Sequence, residues 1–199
     1  MGNDDNKNWR AARTRETIDK TFQQMICEMD ANALNVKNIS EGAGFNRKTF
    51  YLHYNCIEDL FQHTCDEICR SYSEKMPLSE LDSYTEPNDE EKVITLFSRG
   101  FYEFFTAQDP YVERLLCTPS YYVWGSRIID TCADINRQHR NIFKDMTEEE
   151  KALFNNLTAV SLFNTYRQWV ALGKSISIDT LVEFSKKYIY PRASGIFVG

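Results

Sequence analysis

The chain has 199 residues, 42% of them hydrophobic and 26% charged, with a formal net charge of -6. That is the balance of a globular protein long enough to bury a full core, and it excludes a chain that is mainly disordered. No apolar run approaches the roughly 20 residues of a membrane span, so no membrane segment is expected.

Residues 1 to about 9 are polar and read as a solubilising tail rather than an arm that follows a groove. A first helix is expected over 14–29, with Ile18, Phe22, Met25, Ile26 and Met29 on one stripe. Asn35 is a suitable N-cap, Val36, Ile39 and Ala43 keep helical spacing, and Gly44 can take the left-handed conformation that stops a helix. Asn46 then caps a segment over 47–54 in which Phe50 and Tyr54 share one face at i, i+4. Arg47, Lys48, Tyr51 and Leu52 point elsewhere. The pattern is a helix-turn-helix whose last helix has a cationic, hydroxyl-rich outer face. Phosphate oxygens accept hydrogen bonds from Lys, Arg, Thr and Tyr, and a helix start adds backbone donors, so this face suits a DNA duplex. An ordinary helical hairpin with a solvated charged face accounts for the periodicity equally well.

Further on, Ile57, Leu60, Phe61 and Ile68 predict a long helix to about residue 76, ended by Pro77. The stretch L-S-E-L-D-S-Y-T-E-P-N-D-E-E reads as a loop, with Asn88 or Asp89 capping a helix over 93–107. Pro110 starts a short helix to near Cys117, and Pro119 or Ser120 starts one running to about residue 143. Met146 and Thr147 precede a long pattern through Leu153, Phe154, Leu157, Val160, Phe163, Tyr166 and Val170 to Gly173. The last helix spans 178 to about 190 and stops at Pro191. Nothing alternates like a strand, so the expected class is all-α with about nine helices. The expected division is a helix-turn-helix DNA-binding domain over 1–55 and a helical effector-binding and dimerisation domain over 56–199.

Charge follows that division. Residues 1–55 hold eight Lys or Arg against seven Asp or Glu, and residues 56–199 hold fifteen against twenty-two. The acidity therefore belongs to the second part, which should repel non-specific DNA while leaving the reading face cationic.

The run G-A-G-F-N-R-K-T-F-Y-L-H-Y at residues 42–54 closely resembles the DNA-binding signature of the TetR family of bacterial transcriptional regulators. The wording of its last helix is most similar to that of members from low-GC Gram-positive bacteria. The resemblance implies a three-helix DNA-binding unit whose third helix enters the major groove. It places Arg47 and Lys48 at base edges or nearby phosphates, Thr49 and Tyr51 on phosphates and His53 on the backbone. Lys37 lies near the start of the bracing helix, and Asn46 joins the set as the cap of the reading helix. Phe50 and Tyr54 match core positions. Two residues depart from the family pattern. Lys48 replaces a small residue or proline, and Ile57 stands where a lysine is usual, which removes one expected phosphate contact and about one unit of salt slope.

The phrase Y-R-Q-W-V-A-L-G-K-S-I-S-I-D-T-L-V-E-F likewise resembles the end of the family's regulatory domain, where the last two helices of each protomer form a four-helix bundle. A homodimer is implied, with Leu162, Trp169 and Val182 as candidate interface residues. The family also implies a small apolar or aromatic effector. Phe101, Tyr102, Phe105, Tyr121, Tyr122, Trp124, Phe163 and Tyr166 supply the apolar walls and polar tips such a pocket uses. Plain core is the competing role for all eight.

Other chemistry is poorly supported. Cys65 and Cys69 are one turn apart with His63 nearby, but a structural zinc site needs four ligands and no second pair follows, so buried thiols are expected and no metal. Walker, G-x-S-x-G and complete G-x-G-x-x-G elements are missing from the sequence, so no enzyme activity and no cofactor are expected. The six cysteines have no disulfide-framework spacing and the opening M-G-N-D-D-N-K-N-W lacks a secretory pattern, so a cytoplasmic location is expected. The remaining rival is a TetR-like co-regulator that has lost DNA binding and works through a protein partner. The function expected first is a regulator, a repressor more than an activator, that binds a palindromic operator as a homodimer.

Overall fold

The computed structural model describes residues 2–81, 83, 89–137 and 146–190. Among these residues there are ten α-helices and no strand. They are α1 (Gly2–Glu28), α2 (Val36–Gly42), α3 (Arg47–Phe50), α4 (Ile57–Lys75) and α5 (Leu78–Leu81), then α6 (Glu90–Thr106), α7 (Pro110–Cys117), α8 (Tyr122–Arg137), α9 (Glu148–Ala171) and α10 (Ile178–Tyr188). The chain is all-α, with a helix-turn-helix near the N-terminus and a helical C-terminal part, as its periodicity predicts.

Besides α3, described below, three elements differ from expectation. Helix α1 starts at Gly2 rather than near residue 14. Its added turns carry no apolar stripe, but Arg10, Ala11, Ala12 and Arg13 are strong helix formers and need no buried face to extend a helix already docked downstream. Helix α5 falls in the stretch expected as a loop, where Leu78 and Leu81 at i, i+3 are both buried. Helix α8 is preceded by a 3-10 turn at Pro119–Tyr121, and the expected extension to residue 143 lies outside the described residues. So do the candidate cap Asn88 and the stop at Pro191.

The helix ends use the caps their sequences offer. Asn35 and Ser177 accept hydrogen bonds from the backbone N–H of Asn38 and Thr180. Thr147 and Glu150 form a reciprocal capping box, with Glu150 N–H donating to Thr147 Oγ1 at 3.2 Å and Thr147 N–H to Glu150 Oε2 at 2.8 Å. Each cap satisfies donors that a helix start leaves open.

The helices group into two compact units. One runs to Glu67 and includes Asp109–Trp124; the other is formed by Ile68–Gln108 and the chain from Gly125 onward. The first unit thus takes in more chain than the 1–55 segment, because α7 packs along α1. Its interior holds Ile18, Phe22, Ile26, Ile39, Phe50, Leu60, Val112 and Leu115, all buried. Phe22 meets Phe61 edge-on at 4.6 Å between centroids, and Phe61 stacks on Trp124 at 4.4 Å. The Met29 carbonyl beyond the end of α1 accepts from Tyr121 Oη at 2.8 Å and Arg114 Nη2 at 3.2 Å, so the helix end is bound by side chains of the second segment. In the second unit Phe101, Phe105, Phe163 and Tyr166 form the interior, and Tyr102 Oη shares a hydrogen bond with Ser185 Oγ at 2.8 Å.

Candidate nucleic-acid interface

Helices α2 and α3 are short, and tertiary contacts rather than length must hold them. Gly42 lets α2 press against α1, since a Cβ at that position would lie 2.6 Å from Met25 Cε and 3.0 Å from Thr21 Cγ2. Gly44 follows with φ of +72°, the left-handed conformation that turns the chain out of α2. The Asn46 side chain accepts a hydrogen bond from Lys48 N–H and fixes the start of α3.

Regular α3 spans only Arg47–Phe50, shorter than the expected 47–54. The spiral continues as tightened turns, with Leu52 N–H donating to the Thr49 carbonyl at 3.2 Å and His53 N–H to the Phe50 carbonyl at 2.9 Å. Phe50 and Tyr54 are buried as expected. Pinning these two inward turns Arg47, Lys48, Tyr51 and Leu52 outward, and all four are exposed. Thr49 and His53 are half-buried at the edges of that face, and Lys37 is exposed on α2. Arg47, Lys48, Thr49, Tyr51 and His53 of the expected DNA-contact set thus lie on α3 and the turn that follows it, with Lys37 exposed on α2. Asn46 is exposed too; its side-chain oxygen accepts the cap bond, and its amide N–H groups are directed away from that bond.

A polar cluster beneath this face was not anticipated from the sequence. Tyr54 Oη accepts from Arg15 Nε at 3.0 Å and donates to Asp19 Oδ1. Arg15 Nη2 lies 3.2 Å from His63 Nδ1, and His63 Nε2 lies 3.8 Å from Asp19 Oδ2. The cluster joins α1, the turn after α3 and α4. Burial pushes the Asp19 carboxyl above its ordinary value, against the hydrogen bond from Tyr54 and the nearby His63 and Arg15. Burial and the Asp19 hydrogen bond push the Tyr54 phenol well up. The sequence signal was the i, i+4 spacing of Arg15 and Asp19, but nothing local links them to Tyr54 or His63.

Residue Ile57 opens α4, followed by Glu58 and Asp59 in the first turn. Asp59 accepts from both the backbone and side-chain nitrogens of Asn55 at 3.0 Å. The start of α4 thus carries an apolar residue and two carboxylates.

With this geometry in place, solved structures give the comparison. The chain is similar to the fatty acid degradation regulator FadR from Bacillus halodurans, with a TM-score of 0.61 and 15% identity over 88% of this chain and 94% of that one. It is similar to FadR from Bacillus subtilis in complex with stearoyl-CoA, with a TM-score of 0.63 and 14% identity over 87% and 96%. It is also similar to NalD, the secondary repressor of the MexAB-OprM multidrug efflux pump in Pseudomonas aeruginosa, with a TM-score of 0.64 and 14% identity over 92% and 97%. The fold is shared with these helical transcriptional regulators. No protein-family model matches the sequence, and no curated protein does.

The remaining candidates separate. Phe101, Tyr102, Phe105, Phe163 and Tyr166 come together, with Phe101 and Phe163 at 4.8 Å and Phe105 and Phe163 at 5.0 Å, so their rings fill one another's space. Tyr121 and Trp124 pack on Phe61 in the first unit, and Tyr122 is exposed. A separate cleft of about 350 Å³ in the second unit is lined by Lys75, Leu96, Arg99, Glu103, Phe104 and Gln108, among others. Arg99 is engaged there by Asp179 at 2.5 Å and Glu103 at 3.6 Å.

Leu162, Trp169 and Val182 require a correction, because all three are buried within a single chain. They belong to the inward stripe of their helices and are not available to a second protomer. The exposed stripe of α9 is Leu153, Leu157 and Val160, spaced at i, i+4 and i+7, with Leu153 73% and Leu157 63% exposed. On α10, Phe184 and Tyr188 are exposed and pack together at 4.8 Å. Helix α9 is apolar on both sides, so periodicity alone could not say which stripe faces inward.

Cys65 and Cys69 are buried, with Sγ 3.9 Å from the Trp124 carbonyl and 4.0 Å from the Ile128 carbonyl respectively. Among the described residues no helix is long and apolar enough to cross a membrane.

Proposed function

We propose that this protein is a TetR-type transcriptional repressor that binds a palindromic DNA operator as a homodimer. The observation that carries the reading is the face made by Arg47, Lys48, Thr49 and Tyr51, displayed by a short helix that buried Phe50 and Tyr54 hold in place. Cations and hydroxyls on a protruding helix match what the major groove and its flanking phosphates accept. Lys37 and His53 extend the contact to the sugar-phosphate backbone. Two copies give a pair of reading helices, and hence half-sites a helical turn or more apart. The exposed apolar stripes Leu153, Leu157, Val160 and Phe184, Tyr188 are the surface on which the copies meet, since isolated apolar rows of this length are covered in stable assemblies.

The reading includes release by a small effector with apolar or aromatic character, held in the helical second unit. The Bacillus subtilis FadR structure, a relative in fold, was solved in complex with stearoyl-CoA. The cleft beside Phe104, at about 350 Å³, is large enough for a small molecule.

The test is selection of random duplexes on the purified full chain, followed by sequencing. A recovered consensus with twofold symmetry is the expected result. Recovery of no consensus, with a folded chain, would favour the rival co-regulator that acts through a protein partner.

A further inference from the structure

Leu52 is 81% exposed, more than any other large apolar side chain among the described residues. Its direction is imposed by its neighbours: Phe50 and Tyr54 are buried on either side, and the turn is closed by Leu52 N–H donating to the Thr49 carbonyl at 3.2 Å. It stands one helical turn beyond Lys48 and next to Tyr51, on the face that also carries Arg47. A single exposed leucine flanked by Lys48 and Tyr51 is too small a patch for a protein interface. It also cannot hydrogen-bond a phosphate or a base edge. On the floor of a major groove the group complementary to an aliphatic side chain is the C5 methyl of thymine.

We propose that Leu52 is a specificity-determining residue that reads a thymine methyl beside the base pairs approached by Arg47 and Lys48. The inference rests on the DNA-binding reading above and adds an apolar reader to its polar contacts. A thymine preference at one position of each half-site follows, set by contact with a methyl group rather than by a hydrogen bond.

The experiment uses the full chain and an operator obtained by selection. Each thymine is replaced singly by uracil, which removes only the methyl, and affinity is measured for the native protein and for Leu52→Ala. The native protein should bind about three- to fourfold more weakly when one particular thymine per half-site is replaced, the effect of one buried methyl group. Leu52→Ala should be indifferent at that position while keeping any penalty seen elsewhere. Because Leu52 is exposed, the variant should unfold at the native temperature, which checks that the protein is intact. Operator binding with no uracil effect, or an unchanged effect in Leu52→Ala, overturns the role of Leu52 and leaves DNA binding standing. Failure of the native protein to select any duplex removes both.

Discussion

Tyr54 shows how a single hydroxyl couples the reading helix to its support. It accepts from Arg15 and donates to Asp19, and it sits under the exposed face rather than on it. Tyr54→Phe should destabilise the protein by about 1 kcal/mol at neutral pH, the usual net worth of one such interaction, as measured by urea unfolding. The sign of the pH effect follows from Asp19, whose carboxyl burial already raises. A carboxyl raised in the folded state binds its proton more tightly there than in the unfolded chain, so its contribution to stability grows as pH falls through the folded value. Loss of the Tyr54 hydrogen bond should raise Asp19 further, and part of the stability lost in Tyr54→Phe should return on acidification. Carboxyl titration of both proteins by NMR checks the direction. At this scale the caps Asn35 and Asn46, the turn at Gly44 and the inward Phe50 and Tyr54 were legible, because each acts through neighbours within a few residues. The Arg15, Asp19, Tyr54 and His63 cluster was not, because its partners come from three separate elements.

Among the elements, α3 and the start of α4 decide how the protein would grip a duplex. The side chains of Ile57, Glu58 and Asp59 in the first turn of α4 offer no donor to a phosphate. Ile57→Lys should strengthen operator binding and steepen the dependence of log affinity on log salt by about one unit, the change for one added phosphate contact. Anisotropy titrations at several salt concentrations measure it, and an unchanged slope would show that α4 does not approach the backbone. Element boundaries were readable where a breaker or cap marks them, as at Pro110 and Thr147. They were missed where helix continues without an apolar stripe, as in the first turns of α1, or where one buried Leu78, Leu81 pair suffices for α5. The phase of α9 was unreadable for a different reason: leucines and aromatics lie on both faces, and only packing selects Leu162 and Trp169 for the interior.

For the whole molecule, the proposed dimer and the charge distribution would set specificity. Leu157→Glu lies on the exposed stripe and should give a folded monomer in sedimentation, whereas Leu162→Glu should unfold the chain by burying an unpaired charge. A native protein already monomeric at micromolar concentration would remove the proposed interface. The net charge of -6 should keep non-specific DNA binding weak while the face of α3 remains cationic. An effector acts as a switch only if it binds one arrangement of the dimer better than another, because equal affinity shifts no population. The all-α architecture was legible from periodicity, but which aromatics form core and which line a cavity was not, since both use the same residue types.

If the outer face of α3 reads DNA, its cations should discriminate between sequences. The most direct measurement is the affinity of the native chain, Arg47→Ala and Lys48→Ala for the selected operator and for a scrambled duplex. Arg47→Ala should lose about 1 to 3 kcal/mol on the operator, the worth of a good base contact, with a much smaller change on the scrambled duplex. Equal affinity of the native protein and both variants for the operator would contradict it.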